Sequence, residues 1–276
     1  MPENSMKSGY APVNGLKLYY ELHGSGEPFV LLHGGVVGST MFAPVLEKLA
    51  QDRQVITLDL QGHGRTADID RPLRYELMAD DIAGLIKYLG FEKVDLLGYS
   101  LGGGTALQVA IRHPNLLRKL VVISQPFKRQ GWYPEVLAGM AQMGPGAAEG
   151  MKQSPLNKMY PEVNWATLFT KLSELLQRDY DWSKDVATMK VPTMLVYADA
   201  DAVSPAHFAE FFGLLGGGKR DAGLDGSGKP TNRLAVLPDA THYDILSSPV
   251  LPTAIISFLK KSVPRPNFFA QTSGGE

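Results

Sequence analysis

The stretch from Val94 to Leu107, VDLLGYSLGGGTAL, constrains the fold more than any other part of the chain. It begins with the apolar residues of a strand and ends with the small residues of a helix, and Ser100 lies between them in a Gly-x-Ser-x-Gly motif. A turn from strand to helix within so few residues strains the backbone of the central serine and exposes its Oγ. The glycines at 98 and 102 avoid Cβ atoms that would strike the neighbouring strand and helix. The motif alone is common, but this context predicts a nucleophilic serine.

Strands and helices alternate along most of the chain. Short apolar runs, typical of strands that are covered on both faces, are separated by segments with helical periodicity. The runs are Pro28–Leu32, Gln54–Asp59, Val94–Leu97, Leu120–Ser124, Pro192–Tyr197 and Leu234–Leu237, and Asn14-Gly15 predicts a hairpin before them. This alternation predicts an α/β protein with a mainly parallel sheet and helices on both faces. Ligands of such sheets bind beyond the carboxyl ends of the strands.

Residues 127–190 break this alternation, because no clear strand is found there. Helical patterns cover 134–143, about 146–160 and 164–179, and Asn164 is a candidate N-cap of the last helix. We therefore expect a core in two parts, residues 1–126 and 191–276, with a helical insertion between them. At the carboxyl edge of the sheet, such an insertion would form a roof over a site, with methionine and aromatic side chains.

Composition excludes several classes of function. The net charge of −1 provides no field that would attract nucleic acid or an anionic membrane. No stretch approaches the roughly 20 apolar residues that span a bilayer. The chain has no cysteine, which agrees with a reducing compartment, and its first ten residues contain no apolar run of a signal peptide. We therefore expect a cytoplasmic protein with a small-molecule substrate, and a polar tail over residues 262–276. The sequence leaves the oligomeric state open.

A serine hydroxyl needs a base that accepts its proton, and the base needs an acid that fixes its tautomer. Of six histidines, His242 follows the last strand, at the same sheet edge as Ser100, and is the natural base. The loop after the preceding strand offers Asp199 and Asp201 as the acid. The backbone N–H of Leu101, at a helix N-terminus, is placed to bind a developing negative charge.

Over residues 9–262 the sequence resembles the α/β-hydrolase fold superfamily, specifically its capped serine esterases and lactonases. Five pieces carry the resemblance: His33-Gly34-Gly35, Asp59-x-x-Gly62-His63-Gly64, the motif at Ser100, the Asp-x-Asp-x-x-x-Pro loop and the late His242. The order serine, acid, histidine is that of the superfamily. The resemblance implies a helical cap after the sixth strand, Asp201 as the acid, and an oxyanion hole of the N–H groups of Gly35 and Leu101. It implies that the His33 side chain and the Asp59–Arg65 loop are structural.

Further site residues are expected around these positions. We expect Gly34, Tyr99, Gln125 and Val203 to bind substrate, since they flank the strand ends and the acid loop. No set of side chains converges as a metal site, so we expect neither a metal nor a cofactor.

These features predict a hydrolase of small to medium carboxylic esters that forms an acyl-enzyme on Ser100. A lactone is an internal ester and needs the same chemistry, so a lactonase, for example of acyl-homoserine lactones, is the first alternative. A carbon–carbon bond hydrolase would share the serine, cap and triad. Dehalogenases and epoxide hydrolases of this fold use aspartate where this chain has Ser100. A non-catalytic ligand-binding protein would keep the pocket but not need an intact triad.

Overall fold

The structure is a computed structural model that describes residues 7–260, so the expected tail at 262–276 lies outside the described residues. Within them the strands are β1 (Lys7–Val13), β2 (Leu16–His23), β3 (Glu27–Leu32), β4 (Arg53–Leu58), β5 (Val94–Tyr99), β6 (Leu117–Ile123), β7 (Thr193–Ala200) and β8 (Arg233–Thr241). They form one sheet in the order β1-β2-β4-β3-β5-β6-β7-β8. β1 and β2 are antiparallel to their neighbours, and β3 to β8 run parallel. The predicted mainly parallel sheet is confirmed.

The turn between β1 and β2 is the predicted hairpin at Asn14-Gly15. Both residues have positive φ, +47° and +85°, as the tightest hairpin turns require. The turn sets the register in which Val13 pairs with Leu16.

The helices are α1 (Ala43–Leu49), α2 (Tyr75–Tyr88), α3 (Leu101–Arg112), α4 (Pro134–Ala141), α5 (Pro145–Met151), α6 (Pro155–Met159), α7 (Trp165–Gln177), α8 (Ser183–Thr188), α9 (Pro205–Leu214) and α10 (Leu251–Leu259). α2, α3 and α9 pack on one face of the sheet, and α1 and α10 pack on the other. Along each strand, alternate side chains point to opposite faces of the sheet. In β3, Val30 faces α2 and α3, whereas Leu31 faces α1 and α10.

The segment between β6 and β7 is helical, as predicted, but its middle differs from the prediction. Instead of one helix over about 146–160, α5 ends at Met151 and α6 begins at Pro155. The Ser154 side chain accepts the N–H of Asn157 and caps α6, and proline suits the first position of a helix because it lacks an N–H. We call 127–190 the helical insertion.

The carboxyl ends of β3, β5, β6, β7 and β8 meet at one edge of the sheet, because these strands are parallel and adjacent. The loops that follow them bring together residues from distant parts of the chain. Among residues 7–260, no helix combines the length and the apolar character that crossing a membrane requires.

Candidate active site

Ser100 occupies the sharp turn between β5 and α3. Its backbone has φ +51° and ψ −118°, a conformation that non-glycine residues rarely adopt. The turn is this tight because the backbones nearly touch: a Cβ on Gly98 would lie 2.1 Å from the Gly102 carbonyl oxygen, and one on Gly102 would lie 2.2 Å from that of Leu32. The Ser100 N–H donates to the Ile123 carbonyl at 3.0 Å, which fixes the turn against β6.

The side chains of Ser100, His242 and Asp201 form one hydrogen-bonded series. Ser100 Oγ lies 3.2 Å from His242 Nε2, and His242 Nδ1 lies 3.3 Å from Asp201 Oδ1. Because a carboxylate only accepts, the hydrogen of the neutral imidazole belongs on Nδ1, and Nε2 is free to accept the serine proton. The three residues come from the ends of β5, β7 and β8.

The Asp201 carboxylate is held by several donors besides His242. Its Oδ2 accepts the Ser124 hydroxyl at 2.6 Å and the Ala198 N–H at 2.9 Å, and its Oδ1 accepts the Val203 N–H at 3.3 Å. Burial alone would raise the pKa of this carboxyl, but the hydrogen bonds from His242, Ser124 and Ala198 outweigh burial and hold its pKa below the usual value. Asp201 is therefore ionised at neutral pH, as the partner of a basic histidine must be.

Asp199, the other candidate acid, has a different role. Its carboxylate accepts the N–H groups of Asp239 at 3.0 Å and Ala240 at 3.1 Å, in the segment that leads to His242. These bonds lower the pKa of Asp199. The structure thus places Asp201 beside His242, whereas Asp199 connects the loop of the acid to the loop of the histidine.

His242 is fixed through its backbone and its ring. The Tyr99 hydroxyl donates to the His242 carbonyl at 2.6 Å. The rings of Tyr99, Trp132 and Tyr243 surround the imidazole, with centroids between 5.3 and 5.5 Å from its own. These contacts support the imidazole in the position in which it meets Ser100.

The remaining histidines have partners elsewhere. His23 pairs with Glu21 and His113 with Asp80. His207 is buried, stacks on Phe127 and accepts the N–H of that residue at 3.2 Å. His63 is buried next to His33 and makes its hydrogen bond to the Gln61 carbonyl.

The loop after β3 carries Gly35 to the nucleophile. Gly35 and Leu101 both border the space at Ser100, and the Leu101 N–H has no intrahelical acceptor because Leu101 begins α3. His33 stabilises the loop: its Nδ1 lies 2.6 Å from the Gly34 carbonyl, and its Nε2 accepts the Leu60 N–H at 2.9 Å. Val36 has φ +74°, which strains a β-branched residue next to the proposed oxyanion site.

The Asp59–Arg65 loop is bonded to the chain segment that follows Gly35. The Asp59 carboxylate accepts the Ser39 N–H at 2.7 Å and both the N–H and the Nε of Arg65, at 2.9 and 2.8 Å. None of these side chains borders the space at Ser100 among the residues that the structure describes.

A cavity of about 430 Å³ opens at Ser100 and His242. The helical insertion forms its wall opposite the sheet, mainly with apolar side chains: Trp132, Val136, Met140, Met143, Leu172 and Leu176. Within residues 7–260 its lining contains one charged side chain that is not part of the triad, Glu135, and neither lysine nor arginine. Methionine and tryptophan side chains of the insertion thus line the same cavity as Ser100.

Of the four residues expected to bind substrate, Gln125 lines the cavity, but Gly34, Tyr99 and Val203 do not. Gly34 packs against the Tyr99 ring, where a Cβ would lie 2.8 Å from a ring carbon. The Tyr99 hydroxyl is turned to His242, and the Val203 side chain is buried while its N–H supports Asp201. In this structure the three residues support the triad and the loop, and their part in substrate binding stays a prediction.

The chain is similar to several known proteins in sequence and in fold. A match of 42% identity over 113 residues joins the chain to "Putative carbamate hydrolase RutD" of Caulobacter vibrioides (strain NA1000 / CB15N); it covers 39% of the chain and less than half, 42%, of that relative. "Serine hydrolase BPHL" of Mus musculus is 28% identical over 220 residues, or 75% of each chain. A thermophilic esterase from Thermogutta terrifontis has a similar fold, with a TM-score of 0.69, 24% identity, and coverage of 92% of this chain and 98% of that one.

The model of the alpha/beta hydrolase family matches residues 29–254, which include the turn at Ser100, the acid loop and His242. The eight-stranded, mostly parallel sheet flanked by helices is the architecture of the same family. By sequence and by structure, the chain belongs to the alpha/beta hydrolase family.

Proposed function

We propose that this protein is a hydrolase that cleaves carboxylic esters through an acyl-enzyme on Ser100. The observation that carries the proposal is the series from Ser100 through His242 to Asp201, at 3.2 and 3.3 Å, of which Ser100 and His242 line a mainly apolar cavity. Serine is a weak nucleophile unless a base takes its proton, and this arrangement supplies both the base and the group that orients it.

In the first half of the reaction, Ser100 Oγ attacks the acyl carbon while His242 Nε2 takes the hydroxyl proton. The ionised Asp201 stabilises the imidazolium that forms. The N–H groups of Gly35 and Leu101 donate to the oxyanion of the tetrahedral intermediate, and the loss of one such donor typically costs about 10²–10³ in rate. His242 then gives the proton to the leaving alkoxide, and the acyl group remains on Ser100.

In the second half, a water molecule attacks the acyl-enzyme while His242 again accepts a proton. The carboxylic acid leaves and the Ser100 hydroxyl is restored. No metal or cofactor takes part in these steps, because the proton passes only between Ser100, His242, the leaving alcohol and water.

The cavity indicates small to medium uncharged esters. Its volume of about 430 Å³ is at the lower end of the range for small-molecule sites. Its insertion wall is apolar and binds alkyl groups by burial. With Glu135 at its edge and no cationic lining side chain among the described residues, the cavity disfavours anionic acyl groups.

The lactonase alternative uses the same steps, with the alkoxide still joined to the acyl group. Carbamate hydrolysis is a second alternative, because one relative is named as a putative carbamate hydrolase. We rank both below simple esters, since the side chains that the insertion contributes to the cavity are mainly apolar and favour alkyl groups. A carbon–carbon bond hydrolase is a further alternative, because it would share the serine, the cap and the triad.

The decisive experiment compares the wild type with Ser100→Ala on p-nitrophenyl esters from acetyl to dodecanoyl, on an acyl-homoserine lactone and on a methyl carbamate. We expect the highest kcat/KM for short to medium acyl chains and a loss of at least about 10⁴-fold in the variant. Ser25→Ala, an exposed serine in the turn before β3, is the matched control and should keep full activity.

The covalent step is tested separately with diethyl p-nitrophenyl phosphate. Intact-mass analysis should find one phosphoryl adduct on the wild type and on Ser25→Ala, and none on Ser100→Ala. Turnover retained by Ser100→Ala, or an adduct on it, contradicts the proposal. Preferred opening of the lactone moves the activity to the lactonase class.

A further inference from the structure

A buried amide in the cavity wall has an acceptor atom without a donor. Gln125 follows β6, is fully buried and lines the same cavity as Ser100. Within residues 7–260, its Oε1 has no hydrogen-bond partner. Buried polar atoms are nearly always paired, so an unpaired acceptor in the wall of a site points to a partner that arrives from outside the chain.

The orientation of the amide follows from its neighbours. Gln125 Nε2 donates to the Pro126 carbonyl at 3.0 Å and to the Tyr180 hydroxyl at 3.0 Å. A carbonyl oxygen only accepts, so the nitrogen of the amide must face Pro126. The flipped amide would place two acceptors against each other, so Oε1 is the amide atom that has no partner among the described residues.

The amide is also held in place. The Tyr197 hydroxyl donates to the Gln125 backbone carbonyl at 2.8 Å. Gln125 Cβ lies so close to Gly103, one turn into α3 from Ser100, that a Cβ there would be 2.7 Å from it. The Tyr180 hydroxyl accepts Trp132 Nε1 as well, at 3.2 Å. An acceptor fixed in this way loses little entropy when a donor binds to it.

The surroundings make this acceptor selective. The insertion side chains that line the cavity are mainly apolar, so an alkyl group that covers Oε1 leaves it without water and without a donor. A ligand that brings a donor to this atom avoids that penalty. Sites built around a buried hydrogen-bonding group reject analogues that lack the matching group.

We propose that Gln125 Oε1 receives a hydrogen bond from the substrate, and that the natural esters therefore carry a hydroxyl or an amide N–H in the portion that enters the cavity. This specificity role rests on the proposed ester hydrolysis at Ser100 and names the class of substrate for the same site.

Three isosteric ester pairs test the proposal, each followed by acid release in a pH-stat. Methyl N-acetylglycinate and methyl 4-oxopentanoate exchange an N–H for a methylene, and methyl 3-hydroxybutanoate and methyl 3-methylbutanoate exchange a hydroxyl for a methyl. 2-Hydroxyethyl and propyl butanoate place the hydroxyl on the alcohol portion. Each kcat/KM ratio is divided by the ratio for hydroxide-catalysed hydrolysis, which removes intrinsic reactivity.

In the wild type, we expect the donor-bearing member of at least one pair to be favoured by about 10-fold or more after this correction. Gln125→Met keeps the length of the side chain but removes the acceptor, and should bring the corrected ratio to within about twofold of one. The matched control, Gln51→Met, changes an exposed glutamine before β4, at the opposite edge of the sheet, and should leave the ratio as in the wild type.

Corrected ratios near one for all three pairs in the wild type overturn the proposal, and this result does not depend on how the variant folds. A preference that persists in folded Gln125→Met overturns it as well. If propyl butanoate is hydrolysed while either result is found, ester hydrolysis stands and only the role of Gln125 falls. If the wild type hydrolyses none of the six esters, both proposals fall.

Discussion

At the scale of single residues, Ser124 is an unexpected member of the site. It follows β6 directly, has φ +51°, and donates to Asp201 Oδ2 at 2.6 Å from a fully buried position. A non-glycine residue in this conformation is strained, and strain of this kind is retained where the surroundings require it. The hydroxyl holds the face of the carboxylate that His242 does not reach, so Ser124 acts through Asp201 as a positioning residue.

Ser124→Ala should lower kcat by about 10-fold with little change in KM, because a hydrogen bond to a charged group is lost while the cavity is unchanged. Steady-state kinetics on the best p-nitrophenyl ester measure this effect. Thr193→Val removes another buried hydroxyl, which donates to the Val191 carbonyl at the opposite end of β7. This control should lose stability but keep kcat, and equal kcat values in the two variants would contradict the role of Ser124.

Some residues of the site can be predicted from the sequence, and others cannot. The positions of Ser100 and His242 follow from motif and order, because both lie directly after strands whose carboxyl ends share an edge. Tyr99 precedes Ser100 in sequence, but its hydroxyl bonds to the His242 carbonyl, and neither Tyr99 nor Val203 lines the cavity. The contact of Ser124 with Asp201 joins residues 77 positions apart, and no local pattern reports such a contact.

At the scale of elements, α7 connects the insertion to the cavity. Its buried face includes Trp165, Leu168 and Leu172, and Leu172 and Leu176 reach the cavity wall. The predicted N-cap is observed: Asn164 Oδ1 accepts the N–H of Thr167 at 3.1 Å. The apolar spacing and the cap both lie within the helix, and for this reason they could be read from the sequence.

Asn164→Ala should reduce the free energy of unfolding by about 1 kcal/mol, because the Thr167 N–H loses its acceptor at an exposed helix end. Urea unfolding followed by circular dichroism measures the change. Asn164→Asp keeps the acceptor oxygen and adds a negative charge at the helix N-terminus, so it should match the wild type or exceed it. Equal losses in both variants would show that the cap does not stabilise α7.

The break between α5 and α6 shows where element prediction fails. The apolar periodicity of residues 146–160 continues across the break, so the pattern alone joins the two helices. The signal for separation is the pair Ser154-Pro155, an N-cap followed by a proline at the first helical position. The N-cap and the proline, and not the hydrophobic periodicity, determine where the helices end and begin here.

At the scale of the whole molecule, two buried neutral histidines couple folding to pH. Burial, with a smaller effect of the nearby His33, lowers the pKa of His63 to about 3. Burial likewise lowers the pKa of His207 to about 4. Both histidines have a pKa near 6.5 in the unfolded chain. Below that value the unfolded chain binds more protons than the folded one. The free energy of unfolding is therefore highest near neutral pH and decreases as the pH falls.

When the pH is lowered from 7 to 5, each of these histidines should reduce the free energy of unfolding by about 2 kcal/mol. Urea unfolding at a series of pH values measures the loss. His207→Gln keeps an acceptor for the Phe127 N–H but does not titrate, so its loss over the same interval should be smaller by about 2 kcal/mol. An unchanged pH dependence in this variant would show that His207 does not contribute.

The lining of the cavity has a consequence for how such a protein can change. The reacting groups lie at the sheet edge, whereas about half of the residues that line the cavity come from one continuous stretch of chain between β6 and β7. Mutations in that stretch can alter which molecules are accepted while the proton-transfer machinery stays in place. Chemistry and selectivity can therefore evolve at different speeds in this protein, and an engineer can exchange the insertion between relatives as a single cassette.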